Sequence, residues 1–216
     1  MLILAFDTAT PAVTVAVHDG AQVVAEESAV DARRHGELLS VFIDKALRSA
    51  GATPASLTAI AVGTGPGPYT GLRTGLVTAR VLGATLDLPV DGICTLDIMA
   101  SSAAELAGGR EFLVASDARR KELYWARYSA FGQRVTGPEV SPASDLPAGL
   151  PVAGEGPRLY PELVEQPLEP AYPSAARLAA LAAERIVAGM PPAPPYPLYL
   201  RRPDAREPGR PKRVTP

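Results

Sequence analysis

Proline placement limits what this chain can fold into more than any other feature. Of 23 prolines, five fall in the first hundred residues and eighteen in the last 116. A proline lacks the backbone donor and clashes with the preceding helical turn, so it stays out of helix interiors and central strands. The first half can therefore hold long regular elements, and the second half mostly short ones. The change in pattern, near residues 95–105, divides the chain into units of residues 1–101 and 102–202, with 203–216 as a basic, proline-rich tail. No internal repeat of fixed period is visible.

Periodicity fills in the first unit. Leu2 to Phe6 is a short apolar strand ending at Asp7. Val13, Val15 and Val17 alternate with Thr14, Ala16 and His18, which predicts a half-buried strand. Asp19-Gly20 is a two-residue hairpin turn, with Ala21 to Ser28 returning as the partner strand. Helices are predicted over Gly36–Ala50, Thr70–Leu86 and Thr95–Ala107, with strands over Leu57–Gly63 and Pro89–Cys94. In the second unit, strands are predicted at Glu111–Ala115 and Glu122–Tyr128, the latter pairing with Gln133–Val140. Ser174 caps a helix reaching Ala188. Residues 141–173 receive no assignment, and the stretch from Pro191 is irregular.

Composition excludes several function classes. The 216 residues suffice for a sizeable core, and the net charge of −2 provides no global cationic field for nucleic acid. A single cysteine, Cys94, excludes an internal disulfide framework. The N-terminal MLILAF lacks a basic flank and meets Asp7 at once, so it reads as a strand rather than a signal peptide. No apolar run approaches the ~18 residues of a membrane span. The expectation is a soluble, cytoplasmic protein.

Asp7-Thr8-Ala9-Thr10 places a carboxylate and hydroxyls at a strand end, suited to a hydrated Mg²⁺ or a phosphate, or to a plain turn. Gly65-Pro66-Gly67-Pro68-Tyr69-Thr70-Gly71-Leu72-Arg73 lies between a strand and a helix. It is neither a P-loop nor a dinucleotide fingerprint, and its prolines remove donors a phosphate cradle would need. It reads instead as a stiff, exposed binding loop with Tyr69 at its tip. Gly71, Gly75, Ala79 and Gly83 leave one face of the following helix nearly bare. That face suits a subunit contact or its own sheet. The wide apolar stripe of the first helix, with Leu38, Leu39 and Phe42, favours the contact, which would also involve Arg73. His35 has Leu39 where a second helical metal ligand would stand, so no metal is expected. The segment from Arg201, with Arg202, Arg206, Arg210, Lys212 and Arg213 against Asp204 and Glu207, suits salt-sensitive contact with RNA, or plain solvation.

Together these motifs resemble the bacterial TsaB family, also called YeaZ. Asp7-Thr8-Ala9-Thr10, Arg34-His35, Gly63 through Gly75, Asp117-Ala118-Arg119, Glu122 through Ala126 and Tyr199-Leu200-Arg201 carry the resemblance. It implies an α/β, actin-like ATPase fold (ribonuclease H-like) with two related lobes, each a mixed sheet flanked by helices. It also implies a non-catalytic subunit that pairs with the catalytic TsaD, joined by the ATPase TsaE. The complex transfers a threonylcarbamoyl group to the adenosine beside the anticodon of ANN-decoding tRNAs. The chain alone is expected to form a homodimer, to hold no metal or tightly bound cofactor, and to meet tRNA mainly through the complex. ATP or ADP with Mg²⁺ at the partner interface stays open, with Asp7, Thr8, Gly65, Gly67, Tyr69 and Thr70 as the residues near it. The alternatives are a glycoprotease-like metallopeptidase and an independent kinase of the same fold. Two histidines in all, and the poor phosphate-loop remnant Gly154-Glu155-Gly156, weigh against both.

Overall fold

In a computed structural model describing residues 1–201, the chain builds two five-stranded sheets. The first comprises β1 (Ile3–Asp7), β2 (Ala12–His18), β3 (Val23–Val30), β4 (Ala59–Gly63) and β5 (Val90–Ile93), ordered β3-β2-β1-β4-β5. The second comprises β6 (Phe112–Asp117), β7 (Glu122–Tyr128), β8 (Arg134–Pro142), β9 (Val152–Ala153) and β10 (Pro167–Leu168), ordered β8-β7-β6-β9-β10. Each opens with an antiparallel meander, and its last two strands run parallel to its first. The topology is therefore duplicated, although no repeat is legible in the sequence.

The helices differ between lobes for the reason the prolines gave. In the first lobe, α1 (His35–Ser49) precedes β4 and the long α2 (Tyr69–Leu86) follows it. In the second, the corresponding connections hold short 3-10 turns and the single-turn α4 (Gly156–Leu159). Pro142, Pro147, Pro151, Pro157, Pro161 and Pro167 recur too closely for anything longer. Residues 141–173 nevertheless supply β9 and β10, two-residue strands too short for periodicity to register.

The two remaining helices, α3 (Thr95–Ala103) and α5 (Ala175–Val187), interlock the lobes. After leaving the first sheet, α3 packs Leu96, Met99, Ala100 and Ala103 against Phe112, Val114, Ala126 and Tyr128 of the second. After leaving the second sheet, α5 packs Leu178, Ala179 and Ala182 against Ile3, Ala5 and Ala61 of the first. The opposite face of the first sheet receives α1 and α2, where Leu4, Phe6, Val13, Val15 and Val17 meet Leu39, Phe42, Leu72 and Leu76. All seven residues of β2 are consequently buried. The half-buried strand expected from its alternation is corrected, because a helix some 160 residues downstream covers the second face.

Smaller differences have local causes. The Asp19 side chain accepts from Ala21 N and Gln22 N, both at 2.8 Å, so the first hairpin turn extends to Gln22 and β3 begins at Val23. Gly51, at φ +63°, lets the chain leave α1, and its N–H closes on Arg48 O. Ser174 caps α5 as expected, its hydroxyl accepting from Arg177 N at 3.3 Å. The stretch after Pro191 runs as a strap beside β5. Gly92 N donates to Ala193 O, Ala193 N to Asp91 Oδ1, and Leu198 N to Thr64 O.

Candidate functional site

The lobes face each other across a crevice flanked by two corresponding aspartates. Asp7 ends β1 and Asp117 ends β6, and each carboxylate accepts from the backbone N–H two residues on, Ala9 or Arg119, at 2.7 Å. A cavity of about 160 Å³ lies between the lobes, lined by Thr8, Thr10, His35, Thr70 and Arg119 among others.

Asp7 does not open into this cavity. Its second carboxylate oxygen accepts from Thr95 Oγ1 at 2.7 Å. A Cβ on Gly63 would lie 1.7 Å from that oxygen, so only glycine permits the approach. The Thr95 hydroxyl also accepts from Gly65 N at 3.1 Å, and Thr95 N donates to Gly65 O. The result is a buried knot joining the end of β1, the start of α3 and the Gly-Pro-Gly loop. Burial pushes the Asp7 carboxyl above the usual carboxylate range, while the Thr95 bond, the Ala9 N–H and His35 oppose the shift. Of the two readings offered by the sequence, the phosphate- or Mg²⁺-facing Asp7 is corrected, since one oxygen takes the Ala9 N–H of the turn and the other the Thr95 hydroxyl.

The bare face of α2 also turns inward. The Thr8 hydroxyl enters the helical ladder, donating to Gly71 O at 2.7 Å and accepting from Gly75 N at 3.0 Å. A Cβ on Gly71 would meet Thr8 O at 2.4 Å, and one on Gly67 would meet Ala9 O at 1.9 Å. Gly71, Gly75 and Ala79 are buried, as are Leu39 and Phe42 on α1. Their assignment to a partner surface is corrected: close approach to the chain's own β1–β2 turn and sheet uses them up. Leu38 stays half-buried and Arg73 exposed.

The loop is not an exposed spike. Gly65, Pro66 and Gly67 are buried, and Tyr69 is half-buried. Tyr69 packs on Tyr199 with ring centroids 5.0 Å apart, and its hydroxyl donates to Arg201 O at 2.9 Å. The Arg73 guanidinium lies 5.1 and 5.6 Å from the Tyr69 and Tyr199 ring centres, and its Nε donates to Tyr199 Oη at 2.8 Å. Arg201 then reaches the second lobe, donating to Ala118 O at 3.1 Å and pairing with Glu122. Tyr199-Leu200-Arg201 thus staples α2 to the β6–β7 turn. Arg201 belongs to this staple, whereas the rest of the basic tail lies outside the described residues.

The β6–β7 turn is strained. Arg119, Arg120 and Lys121 have φ of +62°, +58° and +63°. L-residues are disfavoured there by roughly 1–2 kcal/mol each. Beside the turn, Glu155 is buried and held by Asp117 N at 3.4 Å and by the Tyr172 hydroxyl. Burial raises its pKa, and the nearby Asp117 charge adds to the rise.

These residues do not fit a nucleotide with Mg²⁺ within the single chain. The cavity is below the ~300–1,000 Å³ usual for small-molecule sites. Asp7 is sealed, and the β9–α4 loop is pressed onto β6, where a Cβ on Gly154 would lie 2.2 Å from Ala115 O. Among the described residues no three His, Cys, Asp or Glu side chains gather as a metal site requires. His35 Nε2 bonds Thr10 O at 2.8 Å, and His18 Nδ1 accepts from Gly20 N at 2.9 Å, so both imidazoles serve turns. Cys94 is buried, and its thiol is pushed up to about 12.

Two sequence signals went unread. Thr95 opens a helix, a position where a hydroxyl passes for a capping residue, and its link to Asp7 spans 88 positions. Val77 and Val81 lie opposite the small-residue face of α2 and are 59% and 57% exposed. Once that face packs inward, helical spacing alone puts them on the surface.

The duplicated meander-plus-parallel sheets, the interlocked helices and the interlobe crevice define an actin-like ATPase fold. Residues 22–160 match the family model described as TsaD: tRNA N6-adenosine threonylcarbamoyltransferase. An uncharacterised Mycobacterium tuberculosis protein is 44% identical over 213 residues, covering 94% of this chain and 93% of its own length. The tRNA threonylcarbamoyladenosine biosynthesis protein TsaB of Escherichia coli is 38% identical over 128 residues, 59% of this chain and 55% of that protein. The solved structure of YeaZ from Pseudomonas aeruginosa superposes with a TM-score of 0.76 at 29% identity, covering 92% of this chain and 99% of that one. The chain belongs to the TsaB/YeaZ family.

Proposed function

We propose that the chain serves in tRNA threonylcarbamoyladenosine biosynthesis as a non-catalytic subunit that pairs with a TsaD-type transferase, with TsaE joining the pair. In this role it activates transfer of the threonylcarbamoyl group to the adenosine beside the anticodon of ANN-decoding tRNAs. Family membership supports the pathway. The non-catalytic reading is supported by the sealed Asp7, by His35 fixed on Thr10, and by Leu39 in the core at the place of a second ligand.

The observation that carries the pairing is the outward face of α2, where Val77, Val81 and Ala84 are exposed together. Each valine gains ~1.5–3 kcal/mol on full burial, so a helical partner is favoured there. Without TsaD, the same face pairs two copies of the chain. The test is the double substitution Val77→Glu and Val81→Glu. Neither side chain enters the core, so the fold should persist. The variant should sediment as a monomer, fail to co-purify with the cell's TsaD, and fail to restore threonylcarbamoyladenosine measured by nucleoside mass spectrometry. A folded variant that still binds TsaD would move the interface elsewhere.

A further inference from the structure

We propose that the β6–β7 turn and the end of the strap form one RNA-binding edge, on which Arg73, Arg119 and Lys121 meet phosphates and the neighbouring tyrosines offer faces for bases. The inference rests on the tRNA reading above and adds the surface that would touch the nucleic acid.

Four observations converge on this edge. The first is charge. Residues 202–216 hold five basic and two acidic side chains, which leaves residues 1–201 with 16 basic and 21 acidic. Within this acidic body, Arg73, Arg119, Arg120, Lys121 and Arg201 gather at one place. Arg119 and Thr70, in the first turn of α2, line a common cavity, Arg73 packs on Tyr69 and Tyr199, and Arg201 bridges Tyr69 and Ala118. The nearby acids Asp117 and Glu122 pair with Arg119 and Arg201. The second observation is conformation. Three successive non-glycine residues sit in the left-handed region, which glycine adopts at no steric cost, and all three are cations. The third is aromatic surface. Tyr199, beside Arg73 and Tyr69, is 43% exposed, and Tyr196, three residues earlier on the strap, is 68% exposed. Exposed rings next to cations suit stacked bases, whereas an acidic protein surface needs only the charge. The fourth is continuity: the basic segment 202–216 leaves from Arg201, at this same edge.

The experiment titrates the full chain with an unmodified transcript of an ANN-decoding tRNA at several salt concentrations. The parent is compared with the double variant Arg119→Gly and Lys121→Gly. Glycine relieves the backbone strain, so the variant should melt no lower than the parent. Its tRNA affinity at roughly 50 mM salt should fall several-fold, and its log–log salt slope should flatten by about 1–2, since each duplex phosphate contact contributes about −0.9. Lys121→Asn, which tolerates the same φ without the charge, should give about half that change. Three results would overturn the proposal: no salt-dependent binding by the parent chain, unchanged affinity in the double variant, or competition by polyglutamate as effective as by tRNA. The last would make the edge a site for an acidic protein. The α2 variants test the pathway reading separately, so the two failures are distinguishable.

Discussion

Replacing Thr95 with valine keeps the side chain's shape and removes one hydroxyl. That hydroxyl donates to Asp7 Oδ2 at 2.7 Å and accepts from Gly65 N at 3.1 Å. Thr95 and Asp7 are both fully buried, so water cannot substitute. A hydrogen bond to a charged group contributes ~1.5–3 kcal/mol net, and stranding a buried N–H costs ~1–3 kcal/mol. The two effects share one atom and are not additive, so the expected loss at neutral pH is about 3–4 kcal/mol. Thr95→Ser keeps the hydroxyl and should lose about 1 kcal/mol, the value of a buried methyl. The loss should also depend on pH. A carboxyl whose folded pKa is raised favours the fold most below its unfolded pKa, near ~3.9, and that advantage is lost as pH rises through the folded pKa. The Thr95 bond holds the Asp7 pKa down, so its removal raises the folded value further. The gap between parent and variant should therefore be smallest near pH ~4, where the stranded Gly65 N–H dominates, and should widen as pH rises. Urea unfolding followed by the single tryptophan, the nearly buried Trp125, measures it. A loss below about 1 kcal/mol, or a gap constant from pH ~4 to ~8, would refute the buried knot.

Two further outcomes follow from the packing. Gly75→Ala puts a Cβ 2.6 Å from Thr8 Oγ1, so it should displace the hydroxyl from the α2 ladder and cost about 1–3 kcal/mol in thermal unfolding; an unchanged melting temperature would contradict the insertion. Cys94, buried and with its thiol pushed up to about 12, should resist iodoacetamide in the native protein and react once urea unfolds it; rapid native labelling would contradict the packing of α3.

The local elements are legible in the chain's own short-range pattern. Apolar spacing set α1, α2 and α5 within a residue or two, Ser174 marked a helix start, and proline density kept the second lobe's connections short. These follow from interactions among residues a few positions apart. The glycine and alanine spacing on α2 likewise showed that something must approach closely. What approaches was decided only by tertiary structure, because Thr8 lies 63 and 67 positions from its partners Gly71 and Gly75. The same holds for the candidate site. Asp7 in a Asp-Thr-Ala-Thr turn reads alike whether its carboxylate is open or sealed, and Thr95, 88 positions away, seals it. Topological duplication was hidden because one lobe keeps two long helices where the other has short turns. The two-sided burial of β2 required α5 to cross between lobes, and no pattern within β2 records what covers its second face.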